Sequence, residues 1–285
     1  MIGTEQLSEI IETVLFTAYV EESIPVSVIL IGPSGAGKSK LVMQYRTSIG
    51  CHITSDVTSM GLQELLARDT EQKIKFIVIP DFNLVLSHRQ STLQLTIGNL
   101  LSMTSEGTIR IDDGRQAKET KHGPVGIISA MTSQMYSAIG KKWVALGFSR
   151  RFIPINYDYG LQTRDIIQRT ISLGDITMLQ LIEKEIEAPP VTRVGISQDI
   201  SNRIMLFSGE LATNIGYIPY SSRKSPEKPK AMFIGKQIEF SPHLVLRTLA
   251  RAHALRDKRT EVTEHDIIFC MKLVQFTRYD QPVLL

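Results

Sequence analysis

Cysteine is nearly absent: the 285 residues include two, Cys51 and Cys270. They stand far apart without the close spacing of metal ligands, so neither a disulfide framework nor a zinc site is expected. Both read as buried small hydrophobes. Long apolar runs are missing too. No stretch approaches the roughly 18 residues a bilayer-spanning helix needs, and acidic Glu5 and Glu9 precede the first apolar segment, where a secretory leader would carry positive charge. A cytoplasmic protein with no membrane partner is expected. Neither sign of charge dominates, because 32 Lys and Arg face 29 Asp and Glu for a formal net charge of +3. That balance excludes a strongly basic nucleic-acid coat but leaves room for local phosphate contacts. The six histidines show no metal-ligand spacing, and His253, inside a helical pattern, is expected to pack or cap rather than to ligate. Hydrophobic residues are plentiful at 42%, enough for one large domain, or a large and a small one, to bury a core.

Periodicity organises the first half. Leu7–Tyr19 carries apolar residues at helical spacing, and Val26–Ile31 is a continuous apolar run of strand length. Leu41–Tyr45, Leu62–Ala67 and Ser91–Met103 read as helices, and His52–Thr54, Ile74–Ile79 and Val125–Ser129 as strands. Thr108–Ile111 followed by Asp112-Asp113-Gly114 is a hairpin signal. Strands that are apolar throughout imply a sheet covered on both faces, hence an α/β fold with parallel strands. From Leu161 the pattern turns helical, over Leu161–Leu173, Thr177–Ile186, Leu244–Leu255 and Glu264–Phe276, with a Ser-, Lys- and Pro-rich loop at Ser221–Lys230. This predicts an α/β domain over 1–158 and a smaller helical one over 159–285, with a basic insertion around 221–237.

Gly32-Pro33-Ser34-Gly35-Ala36-Gly37-Lys38-Ser39 fits the phosphate-loop pattern Gly-x-x-x-x-Gly-Lys-Ser/Thr. Glycines let the backbone turn and present N–H groups to phosphate oxygens, Lys38 meets the β and γ phosphates, and Ser39 offers a hydroxyl to Mg²⁺. With Gly at about 7% of residues the pattern arises by chance in roughly one chain in a hundred of this length. Its position, directly after a buried strand and opening a helix, removes most of that risk. A nucleoside triphosphate, ATP with Mg²⁺, is the expected ligand. Ile74–Ile79 ends at Pro80-Asp81, so Asp81 stands at the carboxyl end of a buried strand, where it would hold the metal beside Ser39. Many ATPases place Glu after this Asp to orient the attacking water, whereas Phe82 and Asn83 follow here. Slow hydrolysis, a carboxylate borrowed from Glu64, and water positioned by Asn83 are the alternatives.

Taken together, these motifs resemble the AAA+ ATPases, in particular the helicase and MoxR-like group. Gly126-Ile-Ile-Ser-Ala-Met-Thr132 resembles the core strand that ends in the sensor 1 residue, here Thr132, which would contact the attacking water. Leu100–Lys121 resembles the hairpin that this group inserts before that strand, facing a central pore. Phe148-Ser149-Arg150-Arg151-Phe152 resembles the motif of the arginine finger, so Arg151 would reach the γ-phosphate held by a neighbouring subunit. Ser241-Pro242-His243 through Asp266 resembles the closing helices of the lid; His243 stands where the family commonly has the sensor 2 Arg, and Arg247 is the substitute one turn on. The resemblance implies an AAA+ core with a helical lid, an ATPase activity, and a homo-oligomer, either a hexameric ring or a helical filament. The polymer acted on is expected to be DNA, contacted through the hairpin near Arg110–Lys121 and the basic segment carrying Arg223, Lys224, Lys228, Lys230 and Lys236. A MoxR-type protein-remodelling chaperone and an ATP-gated assembly switch with little hydrolysis are the competing expectations.

Overall fold

Helix α1 (Glu5–Phe16) buries Leu7, Ile10, Ile11, Val14 and Leu15 along one face, and a 3-10 turn at Thr17–Tyr19 ends it. The Thr17 hydroxyl donates to the Val14 carbonyl at 2.6 Å and accepts from the Val26 N–H at 3.0 Å. One side chain thus closes the helix and fixes where the chain enters β1 (Ser27–Gly32). This computed structural model describes residues 3–112, 117–145, 147–148, 151–174, 183–222, 225–233 and 240–285. After β1 come α2 (Lys38–Met43), β2 (Cys51–Ile53), α3 (Ser59–Arg68), β3 (Phe76–Ile79), α4 (Phe82–Leu86) and α5 (Gln90–Glu106). Then follow the strands β4 (Thr108–Asp112), β5 (Ala117–Lys121) and β6 (Gly126–Thr132), helix α6 (Ser133–Ala145), strand β7 (Phe152–Asp158) and helix α7 (Leu161–Ser172). The remainder comprises α8 (Gln198–Asn214), β8 (Tyr217–Ser222), β9 (Ser225–Phe233), α9 (Phe240–Arg256), α10 (Glu264–Phe276) and β10 (Val283–Leu284).

Six strands form a parallel sheet in the order β10-β7-β1-β6-β3-β2. Side chains alternate across a strand, and both faces of this sheet are apolar. Val28 and Leu30 of β1, with Phe76 and Val78 of β3, belong to one core cluster. Ile29 and Ile31, with Ile77 and Ile79, belong to the other. The first cluster takes in α1 and α2 and continues into α8, α9 and α10 through Ile204, Leu211, Leu249 and Leu273. The second is closed by α3, α4 and α5 through Leu62, Phe82, Ile97 and Leu100. The result is the α/β arrangement expected from the apolar strands, with helices on both sides of a parallel sheet. The first core crosses the boundary expected at 158/159, and β10 returns the chain's end to the sheet beside β7.

The second half departs from its sequence reading at three places, one of them helix α8, which was not expected. Of Ser221–Lys230, read as a loop, residues 221–222 and 225–230 belong to the antiparallel pair β8–β9. Of the helix expected over Thr177–Ile186, residues 177–182 lie outside the described residues, and 183–186 are extended rather than helical. Their backbone is used sideways instead: Lys184 N–H donates to the Gln44 carbonyl at 2.7 Å and Ile49 N–H to the Ile186 carbonyl at 3.3 Å. Arg115, Arg223, Lys224, Lys236, Ser149 and Arg150 also lie outside the described residues. Among the described residues no helix is long and apolar enough to cross a membrane.

Candidate functional site

The glycine-rich loop leaves β1 at Gly32, level with Thr132 of β6 in the strand register. Gly35 and Gly37 have φ of +81° and +71°, a left-handed backbone that glycine alone adopts without strain. Gly32 serves a different need. An added Cβ there would stand 2.9 Å from the Tyr157 carbonyl oxygen, so its missing side chain lets β7 approach. Two phenols from the end of β7 hold the loop from beneath: Tyr157 and Tyr159 donate to the Ala36 carbonyl at 3.0 and 3.2 Å. Their period of two puts both on one side of the strand. Ala36 N–H in turn donates to the Pro33 carbonyl at 3.3 Å.

Lys38 opens α2 and is only 7% exposed. Its ammonium donates to the Pro33 carbonyl at 2.5 Å, leaving two of its three N–H bonds free for a ligand. Burial lowers its pKa, and the negative charge of Asp81 opposes that shift. Because α2 is six residues long, its dipole is weak, and the loop amides carry more of the positive field than the helix end does.

Asp81 follows β3 through Pro80 and caps α4, one carboxylate oxygen accepting from the Asn83 N–H at 3.0 Å. Phe82 turns inward and is fully buried in the second core. Asn83 turns outward to the cleft, with a buried Oδ1 that has no partner among the described residues. Thr132 ends β6, and its hydroxyl accepts from the Met135 N–H at 3.2 Å as the start of α6. These groups share one cleft of about 470 Å³, formed by Ser34, Gly35, Gly37, Lys38, Ser39 and Lys40 from the loop side. Asp81, Asn83, Met131 and Thr132 form the opposite wall, and Tyr159, Ile167 and Ile171 the side below α7. Gly32, Pro33 and Ala36 form the turn behind it. A parallel sheet presents its ligand site at the carboxyl ends of its strands, and this cleft lies at the ends of β1, β3 and β6. The donors suit a phosphate chain, and the Ser39 hydroxyl with the Asp81 carboxylate is an all-oxygen pair of the kind Mg²⁺ takes.

Other expected residues stand elsewhere. Glu64 lines a different hollow with His52, Asp56 and Arg68 and pairs with Arg68 at 3.4 Å, so the expectation that it lends a carboxylate to this cleft is corrected. Asp81 is the one acid among the cleft residues. Arg151 is outside the cleft too, at the start of β7; its N–H donates to the Phe148 carbonyl at 3.0 Å, while its buried Nε has no partner among the described residues. Arg247 of α9 is likewise not a cleft residue. On the proposed contact hairpin, Arg110 is tied to Glu119 at 3.4 Å across the β4–β5 pair.

His253, His265 and Asp266 bring possible ligand atoms within 4.8 Å of one another. The site is already neutralised: Arg259 donates to both oxygens of Asp266 at 2.7 and 2.6 Å, and His253 Nδ1 lies 2.6 Å from the same carboxylate. A guanidinium thus occupies the carboxylate that a cation would need. His253 is a packed side chain between α1 and α10, as its sequence context led one to expect.

Tyr157, Tyr159, Ile167 and Ile171 were not legible as site residues, since no motif marks them and only the adjacency of β7, α7 and β1 brings them to the loop; Lys40 follows the motif directly on α2 but fills none of its fixed positions. A scan against protein-family models matches none, and a search of curated proteins finds no match.

Proposed function

We propose that this chain is an ATP-binding protein of the AAA+ type that takes ATP with Mg²⁺ in the cleft between the 32–39 loop, Asp81 and Thr132. The observation that carries the reading is the convergence of Lys38, Ser39, Asp81 and Thr132 at the carboxyl ends of three neighbouring parallel strands. A bound nucleotide supplies a γ-phosphoryl group and a metal that spreads its charge. Loop amides and the two free N–H bonds of Lys38 hold the phosphate oxygens, while Ser39 and Asp81 orient the metal. Thr132 and Asn83 line the same space, which makes their side chains the candidates to orient a water there.

No second carboxylate joins Asp81 among the cleft residues, so a strong general base is missing and hydrolysis is slow. This favours a second reading, in which ATP binding rather than turnover drives assembly. Among the described residues Arg151 stands apart from its own cleft, which fits a residue supplied to a neighbouring copy in a ring or filament. The polymer bound is proposed to be DNA. ATP turnover measured across chain concentration, with and without DNA at low salt, tests these parts together. Turnover per chain that rises with concentration and falls at least tenfold in Arg151→Ala supports a shared site. Turnover independent of concentration and indifferent to Arg151 would remove the assembly, and absence of DNA binding at low salt with and without ATP would remove DNA as the polymer.

A further inference from the structure

Helix α9 carries His243, Arg247 and Arg251 at four-residue intervals, which places them on one stripe of the helix. Arg251 Nε donates to the Val194 carbonyl at 2.9 Å, bringing Arg193 to the same place. No ion pair within 4.0 Å engages Arg193, Arg247 or Arg251 among the described residues, although exposed Glu21 and Glu22 stand nearby. Two nitrogens on this stripe are buried without a partner among the described residues, the Arg247 Nε donor and the His243 Nδ1 ring nitrogen. An unpaired buried donor costs about 1–3 kcal/mol, more when charged, so this arrangement is maintained against its own repulsion. The repulsion is registered in the groups themselves. Burial and then the Arg247 charge lower the pKa of both His243 and Arg251; for Arg251 the Glu22 and Glu21 charges oppose that shift and Arg193 adds to it.

We propose that His243, Arg247, Arg251 and Arg193 form an oxyanion site that takes a phosphate group, separate from the loop at Lys38. Guanidinium forks match phosphate geometry in pairs of hydrogen bonds, and the free N–H bonds here outnumber what the two oxygens of a carboxylate accept. The site lies beside Glu21 and the 192–194 segment, joined by the Glu21 N–H to the Thr192 carbonyl at 3.0 Å. That is where the chain approaches the start of β1, whereas the nucleotide cleft follows its end. It therefore does not depend on the nucleotide reading.

The test is calorimetric titration of inorganic phosphate into the Lys38→Ala chain, which disables the loop, compared with Lys38→Ala/Arg247→Gln. Saturable phosphate binding that weakens tenfold or more in the double variant is expected, with a melting temperature in the absence of anion that is unchanged or raised, because a like charge has been removed. Arg193→Ala in the otherwise native chain is an exposed change that leaves the fold intact, and it is expected to weaken phosphate binding several-fold. An oligodeoxynucleotide that displaces phosphate identifies a nucleic-acid backbone as the source of the group; phosphate binding that the oligonucleotide leaves untouched identifies a free phosphate. Phosphate binding that is absent or indifferent to Arg247 and Arg193, or a melting temperature that drops by several degrees in Arg247→Gln without anion, would overturn the proposal.

Discussion

Lys38 is held where its charge is uncomfortable, and its surroundings explain what would relieve it. Burial lowers its pKa against the pull of Asp81, so a phosphate chain arriving at the two free N–H bonds stabilises the charged form. Charge-assisted hydrogen bonds contribute about 1.5–3 kcal/mol each, so Lys38→Ala should weaken nucleotide binding by roughly ten- to a hundredfold or more in a fluorescence titration. Gly32→Ala is a packing change: the added Cβ would press on the Tyr157 carbonyl oxygen at 2.9 Å. A loss of about 1–3 kcal/mol is expected from urea unfolding, with β1 and β7 forced apart. Desolvation also acts on the thiols, although of the two expected to be buried only Cys270 is fully so and Cys51 is half-buried. Desolvation pushes Cys51 up to about 12 and Cys270 higher still, so neither should react with iodoacetamide at pH 8 until the chain is unfolded in urea. At this scale the glycine-rich turn was legible, because its left-handed positions Gly35 and Gly37 fall on glycines of an eight-residue motif directly after a buried strand. Asn83 was legible only as one option among three; that Phe82 turns inward to the core while Asn83 lines the cleft is something a one-dimensional reading does not display.

Among the elements, α1, α9 and α10 are joined by a charged network that sets an acid limit on stability. Burial works against the charge of Asp266, but hydrogen bonds from Arg259, His253 and the Thr263 N–H outweigh it and hold its pKa well below the ordinary carboxylate value. Glu9 is likewise opposed by burial and held down by His253 and Arg256. A carboxyl whose folded pKa is depressed contributes stability above its unfolded value, about 4, and loses that contribution as pH falls from there toward the folded value. Stability should therefore be level down to about pH 5 and decline below about pH 4 in urea melts. Asp266→Asn should flatten that decline and, by leaving Arg259 without its counter-charge, cost about 3–5 kcal/mol at neutral pH. Helices with a clean apolar period, α1 and α10, were read within a few residues of their ends. Helix α8 was missed because its buried set alternates apolar Ile204 and Leu211 with Ser201, Ser208 and Asn214, and polar positions dilute the period. The β8–β9 pair was read as a loop because its Ser, Lys and Pro content resembles turn composition; pairing, not composition, makes those residues strands.

The whole molecule turns on one sheet whose strands are apolar on both faces, and that property was readable in Val26–Ile31, Ile74–Ile79 and Val125–Ser129 before any coordinates. The place of each strand in the order was not. A run such as Ser27–Gly32 states that it is buried, not that β6 and β7 flank it, and the site depends on those neighbours: Thr132 comes from one and the two tyrosines from the other. Composition likewise points to a boundary at 158/159, while the first core continues from the sheet through α1 into α8, α9 and α10. Long-range packing of this kind leaves little trace in local sequence. Helix α7 illustrates the reverse, an apolar pattern that remains outside, with Leu161 and Leu173 80% and 83% exposed while Ile167 and Ile171 reach the cleft. The most direct measurement is isothermal titration calorimetry of the folded chain with ATP in magnesium buffer, run beside Lys38→Ala. Saturable heat with one nucleotide bound per chain, weakened at least tenfold by the substitution, is the expected result; folded protein that takes up neither ATP nor GTP would contradict the assignment of the loop.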